Sequence, residues 1–534
     1  MSGTLFRGGT VLTLDPAAPR ARALLARDGR VVALDDDALE LAGAAAEVDL
    51  GGGCLLPAFA DGHAHPSHGG VELLDAPLRD CGSVDEVVAA VRRHAAQHPG
   101  AEWVLGSSYD PALAPGGRFD ARWLDAAVPD RPVALTSADH HVLWVNTAAL
   151  RRAGVDRATP DPPAAQVLRR EDGEPLGTLV EWGAMDLVRA HLPERGEDDL
   201  RRGLLRAWQL LADAGVAWVQ DALCGPDDVQ RALALSRAGA LPVRTDLCLR
   251  AEPGTWQRQR AGFRAARDAA EGDPQVSART VKLFADGVLE AGTAALLEPY
   301  AGGGCSHHGM PVWEPDELAA AAEAFDADGF GLHVHAIGDA AVRSALDAVE
   351  GVRRARGRTA RRPVVAHTQL VDDADLPRFA ALGVVANFSP LWACLDACQT
   401  DLTLPRLGPE RGGRQYPMAS LLRTGAVLSF GSDWPVSSLR PLDGVGVAVT
   451  RRTPDGGEPP GGWVPHERLP VAAALSAAVQ GPAYQAHEEH LRGTFAPGLR
   501  ADLVHLDADP TRVDAQEWPG IGVLGTWVAG RRTA

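Results

Sequence analysis

Several features that would direct the chain to particular protein classes are missing from its 534 residues. No apolar stretch approaches the ~20 residues needed to cross a bilayer, and the N-terminal MSGTLFRGGT lacks the basic segment and apolar run of a secretion signal. The seven cysteines are scattered and form no C-x-x-C, so neither a disulfide framework nor a thiolate zinc site is predicted. We therefore expect a cytoplasmic protein without a membrane partner.

Positive charge is also in short supply. The 52 Lys and Arg residues against 70 Asp and Glu give a net charge of -18, a field that repels nucleic acid. The hydrophobic share of 46% and the charged share of 23% are ordinary for a globular protein, and the length favours a large catalytic domain with a smaller one. We expect a small-molecule substrate, no nucleic-acid partner, and a chain that could form a homodimer.

Strand-like apolar runs alternate with Ala-, Leu- and Arg-rich helical stretches through the middle of the chain, which is typical of a parallel sheet with crossover helices. Eight such runs are present: LLPAFADGHAH, GVAWVQDAL, LPVRTDLCL, ARTVKLFADG, GFGLHVHAIG, RPVVAHTQL, GVVANFSP and AVLSFGSDWP. Each is followed by enough chain for a helix. The pattern predicts an α/β fold with a (β/α)₈ TIM barrel over residues 56–489.

The two ends of the chain carry short strand-like runs separated by Gly and Asp turns, such as TLFRGGTVLTLD at the start and ADLVHLDAD at the finish. Neither end could bury a sheet face alone, so residues 1–55 and 490–534 are predicted to form one composite β-sandwich. The gap between the first two barrel runs is too long for one helix. Residues 69–205 are therefore predicted to form an insertion domain that covers the site.

Active-site groups of this barrel lie at the C-terminal ends of its strands. Several of the predicted strands end in suitable side chains: His63 and His65 on the first, Lys282 on the fourth, His335 on the fifth, His367 on the sixth and Asp433 on the eighth. Residues i and i+2 of a strand point to the same side, so the H-x-H pair can present two imidazoles to one space. Alone, that pair is as well explained by two ordinary histidines near a loop.

The whole set is harder to explain without a ligand. Four imidazoles and a carboxylate converging on one barrel mouth would be costly unless they shared a partner. A divalent cation supplies that partner, and imidazole with carboxylate suits zinc but also accepts iron, manganese, cobalt or nickel. We expect one or two ions, with zinc as the first choice.

Five motifs in this order resemble the signatures of the amidohydrolase superfamily: DGHAHP, VKLFADG, HAIGD, AHTQL and GSDWPV. Within it, the chain resembles the amidohydrolase-3 branch of YtcJ-like and N-substituted formamide deformylase-like proteins over nearly its whole length. The resemblance implies that His63, His65 and Asp433 hold the more buried ion. It also implies that His335 and His367 hold a second ion where one is bound.

The resemblance further places Lys282 where some superfamily members carry a carbamylated lysine that bridges two ions. An ammonium group repels cations, whereas a neutral amine that has captured CO₂ becomes an anionic oxygen ligand. Desolvation and nearby metal charge both favour the neutral amine. The alternative is a structural lysine whose ammonium pairs with Asp286 or another carboxylate.

Asp433 follows the eighth strand beside the predicted metal site, which suits a general base that orients the attacking water and carries its proton to the departing nitrogen. A bound metal would lower the pKa of that water from ~15.7 toward ~7. The alternative for Asp433 is a carboxylate that caps the next helix ahead of Pro435. His333 should face the same way as His335, but we assign the ligand to His335 because it adjoins AIGD.

Four further residues are candidates for substrate binding. The segment DHHVLWVNTAAL resembles one found in the same branch, and it is expected to contribute His140 or His141 to the pocket. Asp286 and Trp434 lie beside the predicted ligands, although a tryptophan is more often simply part of the core.

These residues predict a metal-dependent amidohydrolase that cleaves a non-peptide, amide-type C–N bond of a small molecule, such as an N-substituted formamide or another N-acyl amine. One barrel fold supports many reactions, so the substrate follows only from the resemblance. The alternative keeps the metal and changes the bond: an ester, carbamate or cyclic-amide hydrolase, or a metal-assisted isomerase or decarboxylase. A metal-loaded binding protein without turnover is disfavoured by the presence of Asp433.

Overall fold

The chain begins with five strands and one short helix. The structure, a computed structural model, describes residues 3–301, 307–357, 360–457 and 459–534. The first elements are β1 (Gly3–Leu12), β2 (Arg20–Arg27), β3 (Arg30–Leu34), α1 (Asp35–Leu41), β4 (Ala46–Asp49) and β5 (Cys54–Pro57). Apolar side chains of β1 and β2 are almost fully buried, which makes these strands one face of a small core.

The chain then enters the barrel and leaves it again. Strand β6 (Phe59–Ala64) and helix α2 (Pro66–Glu72) precede a separate six-stranded sheet. The strands of this sheet are β7 (Ala76–Pro77), β8 (Val104–Tyr109), β9 (Val133–Ser137), β10 (Val142–Val145), β11 (Gln166–Arg169) and β12 (Pro175–Val180). Its helices are α3 (Val84–Gln97), α4 (Ala121–Asp125), α5 (Thr147–Ala153) and α6 (Glu181–Arg189).

Seven more parallel strands complete the barrel. They are β13 (Val216–Cys224), β14 (Arg244–Arg250), β15 (Val276–Phe284), β16 (Gly331–Ala336), β17 (Val364–His367), β18 (Val385–Phe388) and β19 (Val427–Phe430). The surrounding helices are α7 (Glu197–Asp213), α8 (Pro226–Arg237), α9 (Trp256–Ala270), α10 (Pro315–Ala327), α11 (Asp339–Arg356), α12 (Leu376–Leu382), α13 (Leu404–Leu407), α14 (Pro409–Gly412), α15 (Met418–Arg423), α16 (Pro441–Thr450) and α17 (Val471–Gln485). The strands pair in the order β19-β18-β17-β16-β15-β14-β13-β6, and the predicted eight-stranded barrel is confirmed.

The two end strands of this sheet, β6 and β19, meet at a seam that nearly closes the barrel. Glycines permit the close approach: a Cβ on Gly62 would lie 2.6 Å from the Ser429 hydroxyl, and one on Gly431 would lie 2.6 Å from the backbone of His63. Just beyond β19, the backbone N–H of Asp433 donates to the carbonyl of His63 at 2.7 Å. The first and last barrel strands are thereby tied together at the C-terminal end.

The chain finishes by returning to its starting module. Strands β20 (Leu503–Leu506), β21 (Val523–Val528) and β22 (Arg531–Arg532) continue the N-terminal sheet in the order β22-β21-β20-β5-β1-β2-β3, and β4 pairs with β1. Strand β20 runs antiparallel to β5, so residues near both ends share one set of hydrogen bonds. Apolar residues from both ends, including Phe6, Leu55, Leu503 and Trp527, fill one core.

The insertion is shorter than the predicted span of residues 69–205. Helix α7 begins at Glu197, and its Leu204, Trp208 and Leu211 pack into the barrel core rather than against the inserted sheet. The independent sheet and its helices run from residue 76 to residue 189. A short non-helical segment, residues 190–196, separates α6 from α7, but the sequence pattern alone does not show which of the two cores each helix joins.

Within the described residues, no helix is long and apolar enough to span a membrane. The six cysteines that the structure describes are all free thiols, and Cys305 lies outside the described residues.

The contact between α2 and α7 leads to a first prediction. The helices touch at two glycines, and a Cβ on Gly203 would lie 2.4 Å from the carbonyl oxygen of Gly70. We expect Gly203→Ala to lower the free energy of unfolding by about 1–3 kcal/mol, because the backbones must separate. Chemical denaturation measures the change.

A matched helical substitution provides the control. Gly351 of α11 has open space around its Cβ position, so Gly351→Ala should raise stability by about 0.5–1 kcal/mol through helix propensity. Equal effects of the two substitutions would contradict the close contact.

Candidate metal centre and active site

The histidines predicted as metal ligands lie side by side at the C-terminal mouth of the barrel. Ring centroids are 5.1 Å apart for His63 and His65, 4.8 Å for His63 and His367, and 4.5 Å for His335 and His367. Asp433 and Lys282 line the same small cavity. The structure thus brings together all six residues that sequence reasoning assigned to the metal site.

Three of these residues present ligand atoms to one point. One ligand atom each from His63, His65 and Asp433 lie within 4.8 Å of one another. The Oδ1 atom of Asp433 is 2.8 Å from Nε2 of His65 and 3.3 Å from Nε2 of His63, but neither approach has hydrogen-bond geometry. This carboxylate oxygen is buried without a hydrogen-bond partner among the described residues. A divalent cation fits that arrangement, because it would satisfy the oxygen and both imidazoles at once.

The backbone around Asp433 is held in an unusual conformation. Asp433 has φ of +57°, in the left-handed region that aspartate tolerates better than most residues. The buried Asp61 carboxylate joins this loop to β6: its Oδ1 accepts the N–H of His63 at 3.2 Å and that of Ser432 at 3.0 Å. Asp61 lies two residues before His63 and was not singled out from the sequence. It holds the two ligand-bearing segments together.

A chain of hydrogen bonds inside the barrel determines which nitrogen of His63 faces the cavity. Gln220 Nε2 donates to Asp246 Oδ2 at 2.8 Å, which leaves Gln220 Oε1 as an acceptor. That oxygen lies 2.9 Å from Nδ1 of His333, and Nε2 of His333 lies 2.7 Å from Nδ1 of His63. Gln485 also donates to the same Gln220 oxygen.

These contacts allow one consistent assignment of protons. Burial lowers the pKa of both imidazoles well below the usual range, so each carries one N–H. His333 must donate through Nδ1 to Gln220, and its Nε2 then accepts the Nδ1 proton of His63. Nε2 of His63 is left with a free lone pair toward the cavity, as metal ligation requires.

His333 therefore has a role that the sequence reasoning did not give it. His333 lies two residues before His335 on the same strand, and this spacing correctly indicated that both side chains face the barrel interior. Nothing in the spacing indicated that Gln220, on a strand more than a hundred residues earlier, would receive its proton. The pairing follows from barrel geometry.

Lys282 is the only lysine in the sequence, and it is fully buried at the barrel mouth. Its Nζ lies 3.3 Å from Nε2 of His63 and 4.7 Å from the centre of the Phe284 ring. Burial lowers the pKa of this amine to about 8, so the neutral form is within reach near physiological pH. Asp286, the alternative ion-pair partner, instead accepts three backbone N–H groups.

The other two imidazoles are held by different neighbours. Nε2 of His335 lies 3.1 Å from the carbonyl oxygen of Gly287, which can only accept, so Nδ1 carries the lone pair. His367 stacks on Trp392 with ring planes 2° apart and centroids 5.2 Å apart. Nδ1 of His367 is buried without a partner among the described residues, so it remains open to a ligand.

The inserted domain supplies two histidines to the cavity wall. Nδ1 of His141 lies 2.8 Å from the Glu181 carboxylate, and its ring lies 5.6 Å from that of His335. Although burial opposes the charge, Glu181 raises the pKa of His141 to about 9. His140 Nε2 lies 3.1 Å from Glu72, and burial lowers the pKa of His140 well below its usual range. His141 is thus a cation beside the predicted ligands, and His140 is neutral.

Two predicted substrate-binding residues lie behind the cavity wall rather than on it. Asp286 is buried, and its Oδ1 is 3.6 Å from Nε2 of His335, so it supports that ring and the following loop. Trp434 packs against Gly69 of α2, and its carbonyl accepts the N–H of His65 at 2.7 Å. Neither side chain is among those that line the metal-site cavity.

Comparison with known proteins agrees with this geometry. The model of the amidohydrolase family matches residues 46–534. The putative amidohydrolase YtcJ of Bacillus subtilis is 27% identical, over 99% of this chain and 98% of its own. The N-substituted formamide deformylase of Arthrobacter pascens is 26% identical, with the same coverage of both chains.

A solved structure extends the agreement to the fold. A crystal structure of an uncharacterized metal-dependent hydrolase from Pyrococcus furiosus superposes with a TM-score of 0.72 at 25% identity, over 95% of this chain and 99% of that one. These matches confirm the predicted family and branch. The chain belongs to the amidohydrolase family of metal-dependent hydrolases.

Proposed function

We propose that the protein hydrolyses an amide-type C–N bond, other than a peptide bond, in a small molecule. N-substituted formamides and other N-acyl amines are the first substrates to test. The convergence of His63, His65 and the unpartnered Asp433 oxygen carries this proposal, because it combines a cation site with a proton acceptor. The formamide deformylase among the relatives supports the choice of amide.

Three residues would hold the first ion, and two more with Lys282 would hold a second. His63, His65 and Asp433 are the first set, and His335 and His367 are the second. Zinc is the first choice of metal because imidazole and carboxylate ligands suit it. When bound, such an ion lowers the pKa of a water molecule and polarises a carbonyl oxygen.

The residues of the chain would then move one proton and stabilise one charge. Asp433 takes a proton from the attacking water as the water oxygen bonds to the carbonyl carbon. As the C–N bond breaks, the same carboxyl delivers that proton to the departing nitrogen. The His141 cation lies on the cavity wall, where it can stabilise negative charge developing on the carbonyl oxygen.

The reaction class is tested by turnover of a panel with the metal-loaded protein. The panel contains formamides, N-acyl amino acids, hydantoins, lactones and aryl esters. We expect hydrolysis of at least one open-chain amide or formamide. Hydrolysis of an ester or lactone without hydrolysis of any amide would overturn the proposal.

Replacement of Asp433 tests its role in that reaction. Asp433→Asn removes the proton acceptor but keeps a similar shape, so we expect kcat to fall by about 10²–10⁴ while metal content changes little. Asp373→Asn is the matched control, because that carboxylate is on the surface with its side chain 82% exposed. Unchanged kcat in Asp433→Asn would remove the assigned role.

Carbamylation of Lys282 can be tested without measuring activity. Because Lys282 is the only lysine, labelled bicarbonate should give the metal-loaded protein a single side-chain carbamate signal in NMR spectra, together with any signal from the N-terminal amine. Lys282→Arg keeps the charge and cannot form that carbamate, so the side-chain signal should disappear. A spectrum that Lys282→Arg leaves unchanged would show that this lysine is not modified.

The hydrogen-bond chain behind His63 gives a prediction about metal affinity. His333→Phe removes the acceptor of the His63 Nδ1 proton, so we expect metal binding to weaken by about 10–100-fold in a chelator competition assay. His505→Phe is the matched control: His505 is also buried and bonded, at 3.2 Å to the carbonyl of Leu50, but lies in the terminal sheet. Loss of stability in both variants with unchanged metal affinity would reduce His333 to a packing role.

A further inference from the structure

The cavity at the metal site adjoins a larger outer chamber. The inner cavity measures about 40 Å³, and the outer chamber measures about 380 Å³. Both are lined by Asp139, Glu290, Trp392 and Val436, so the chamber adjoins the inner cavity. The inner space is much the smaller of the two, so the part of a substrate beyond the reacting group would extend into the chamber. The chemistry of the chamber therefore decides which substrates fit.

The outer chamber is lined by acidic side chains. Asp139 and Glu290 lie at its junction with the inner cavity, Asp110 lies on its wall, and Asp396 lies at its exposed rim. Within the described part of the chain, no arginine or lysine lines the chamber. Asp110 and Asp396 accept backbone N–H groups at 2.8 Å, and within the described residues neither carboxylate is in an ion pair.

The nearby cations neutralise this charge only in part. Burial raises the pKa of Asp139 and of Glu290, and the His141 cation opposes both shifts while it donates its Nδ1 proton to Glu181, so one cation serves three carboxylates. Arg406 lowers the pKa of Glu290 only from a distance, and its guanidinium donates to the carbonyl of Leu402 at 2.7 Å. Burial and the charge of Asp139 raise the pKa of Glu290 to about 7. A cation in the chamber would favour the ionised carboxylates.

Polar groups of buried residues on the chamber wall are also left without partners. Gln415 receives a hydrogen bond from Gln369 at 2.8 Å and donates one to Gln399 at 3.2 Å. Among the described residues, this leaves the Gln369 carbonyl, the Gln399 amide nitrogen and the Tyr416 hydroxyl unpaired, although these residues are only 2%, 4% and 1% exposed. All three residues line the chamber, so their free groups are available to a ligand.

The spacing of the carboxylates suits an organic cation better than a metal ion. Within the described residues, the cluster of His, Cys, Asp and Glu ligand atoms close enough to hold an ion is that of His63, His65 and Asp433. The chamber carboxylates form no such cluster. A protonated amine needs several oxygen acceptors at separate positions, and this wall provides them.

We propose that the outer chamber binds a protonated amine, so that the preferred substrates are N-acyl or N-formyl amines carrying an ammonium group away from the scissile bond. This substrate class rests on the proposed amide hydrolysis. In such a substrate the amide enters the inner cavity, while the ammonium contacts Glu290 and Asp139 and is within the chamber lined by the free amide and hydroxyl groups.

The test compares three formamides of equal chain length with the metal-loaded protein. One ends in an ammonium, one in a methyl and one in a carboxylate. We expect kcat/KM for the ammonium compound to exceed that for the methyl compound on the order of tenfold or more, with the carboxylate lowest. Equal values, or a preference for the methyl or carboxylate compound, would overturn the proposal.

Two chamber variants and one control show which carboxylates cause the preference for the ammonium compound. Glu290→Gln should bring the ammonium-to-methyl ratio of kcat/KM close to one, and Asp396→Asn at the exposed rim should lower it to a smaller extent. Asp401→Asn is the matched control, because Asp401 is an exposed carboxylate in the same segment that does not line the chamber. A ratio that neither chamber variant changes would contradict the assignment.

Calorimetric binding of the same three compounds separates this inference from the proposed reaction. Tighter binding of the ammonium compound without turnover of any amide would disprove amide hydrolysis and retain the cation-binding chamber. Turnover of all three amides with no preference in binding or in kcat/KM would disprove the chamber and retain the hydrolysis.

Discussion

The seam between the first and last barrel strands is the constraint on which the site depends. The backbone N–H of Asp433 donates to the carbonyl of His63, and the backbone N–H and the hydroxyl of Ser432 donate to Asp61, which is 371 positions earlier in the chain. Without this closure, the two imidazoles of β6 would have no carboxylate opposite them. The small residues Gly62 and Gly431 are part of the same constraint, because any side chain there would hold the strands apart.

Behind the seam, buried polar groups of the barrel interior form hydrogen bonds with one another. Asp246, Gln220, His333 and His63 are all buried, and each would be costly in an apolar core without a partner. Their bonds satisfy one another in sequence, and the series ends at the one nitrogen that faces the cavity. The unpartnered Oδ1 of Asp433 lies 3.3 Å from that nitrogen, so the series of hydrogen bonds ends where a cation would lie.

The sequence predicted those parts of the site that depend on local pattern. Apolar periodicity located all eight barrel strands, and polar residues at their ends identified the six side chains that share the metal-site cavity. Gln220 and Asp61 could not be found in this way, because their partners come from distant segments and are fixed only by the barrel register, and the contact of Glu181 with His141 depends on the pairing of β10 with β12 in the inserted sheet. The composition also pointed to Lys282. The chain has 51 arginines and a single lysine, and that lysine is at this buried position.

The proposed reaction and the proposed substrate choice are assigned to different parts of the chain. The residues that would hold an ion lie on or just after the barrel strands, where backbone hydrogen bonds fix their positions. In the chamber, Asp139 comes from the inserted domain, Glu290 from the loop after β15, and the amides from the loop after β17 and the connection between β18 and β19. Loops tolerate substitution better than barrel strands do. The inner site can therefore remain fixed while the chamber changes, and charge on the chamber wall is the feature by which members of one fold would come to accept different amines.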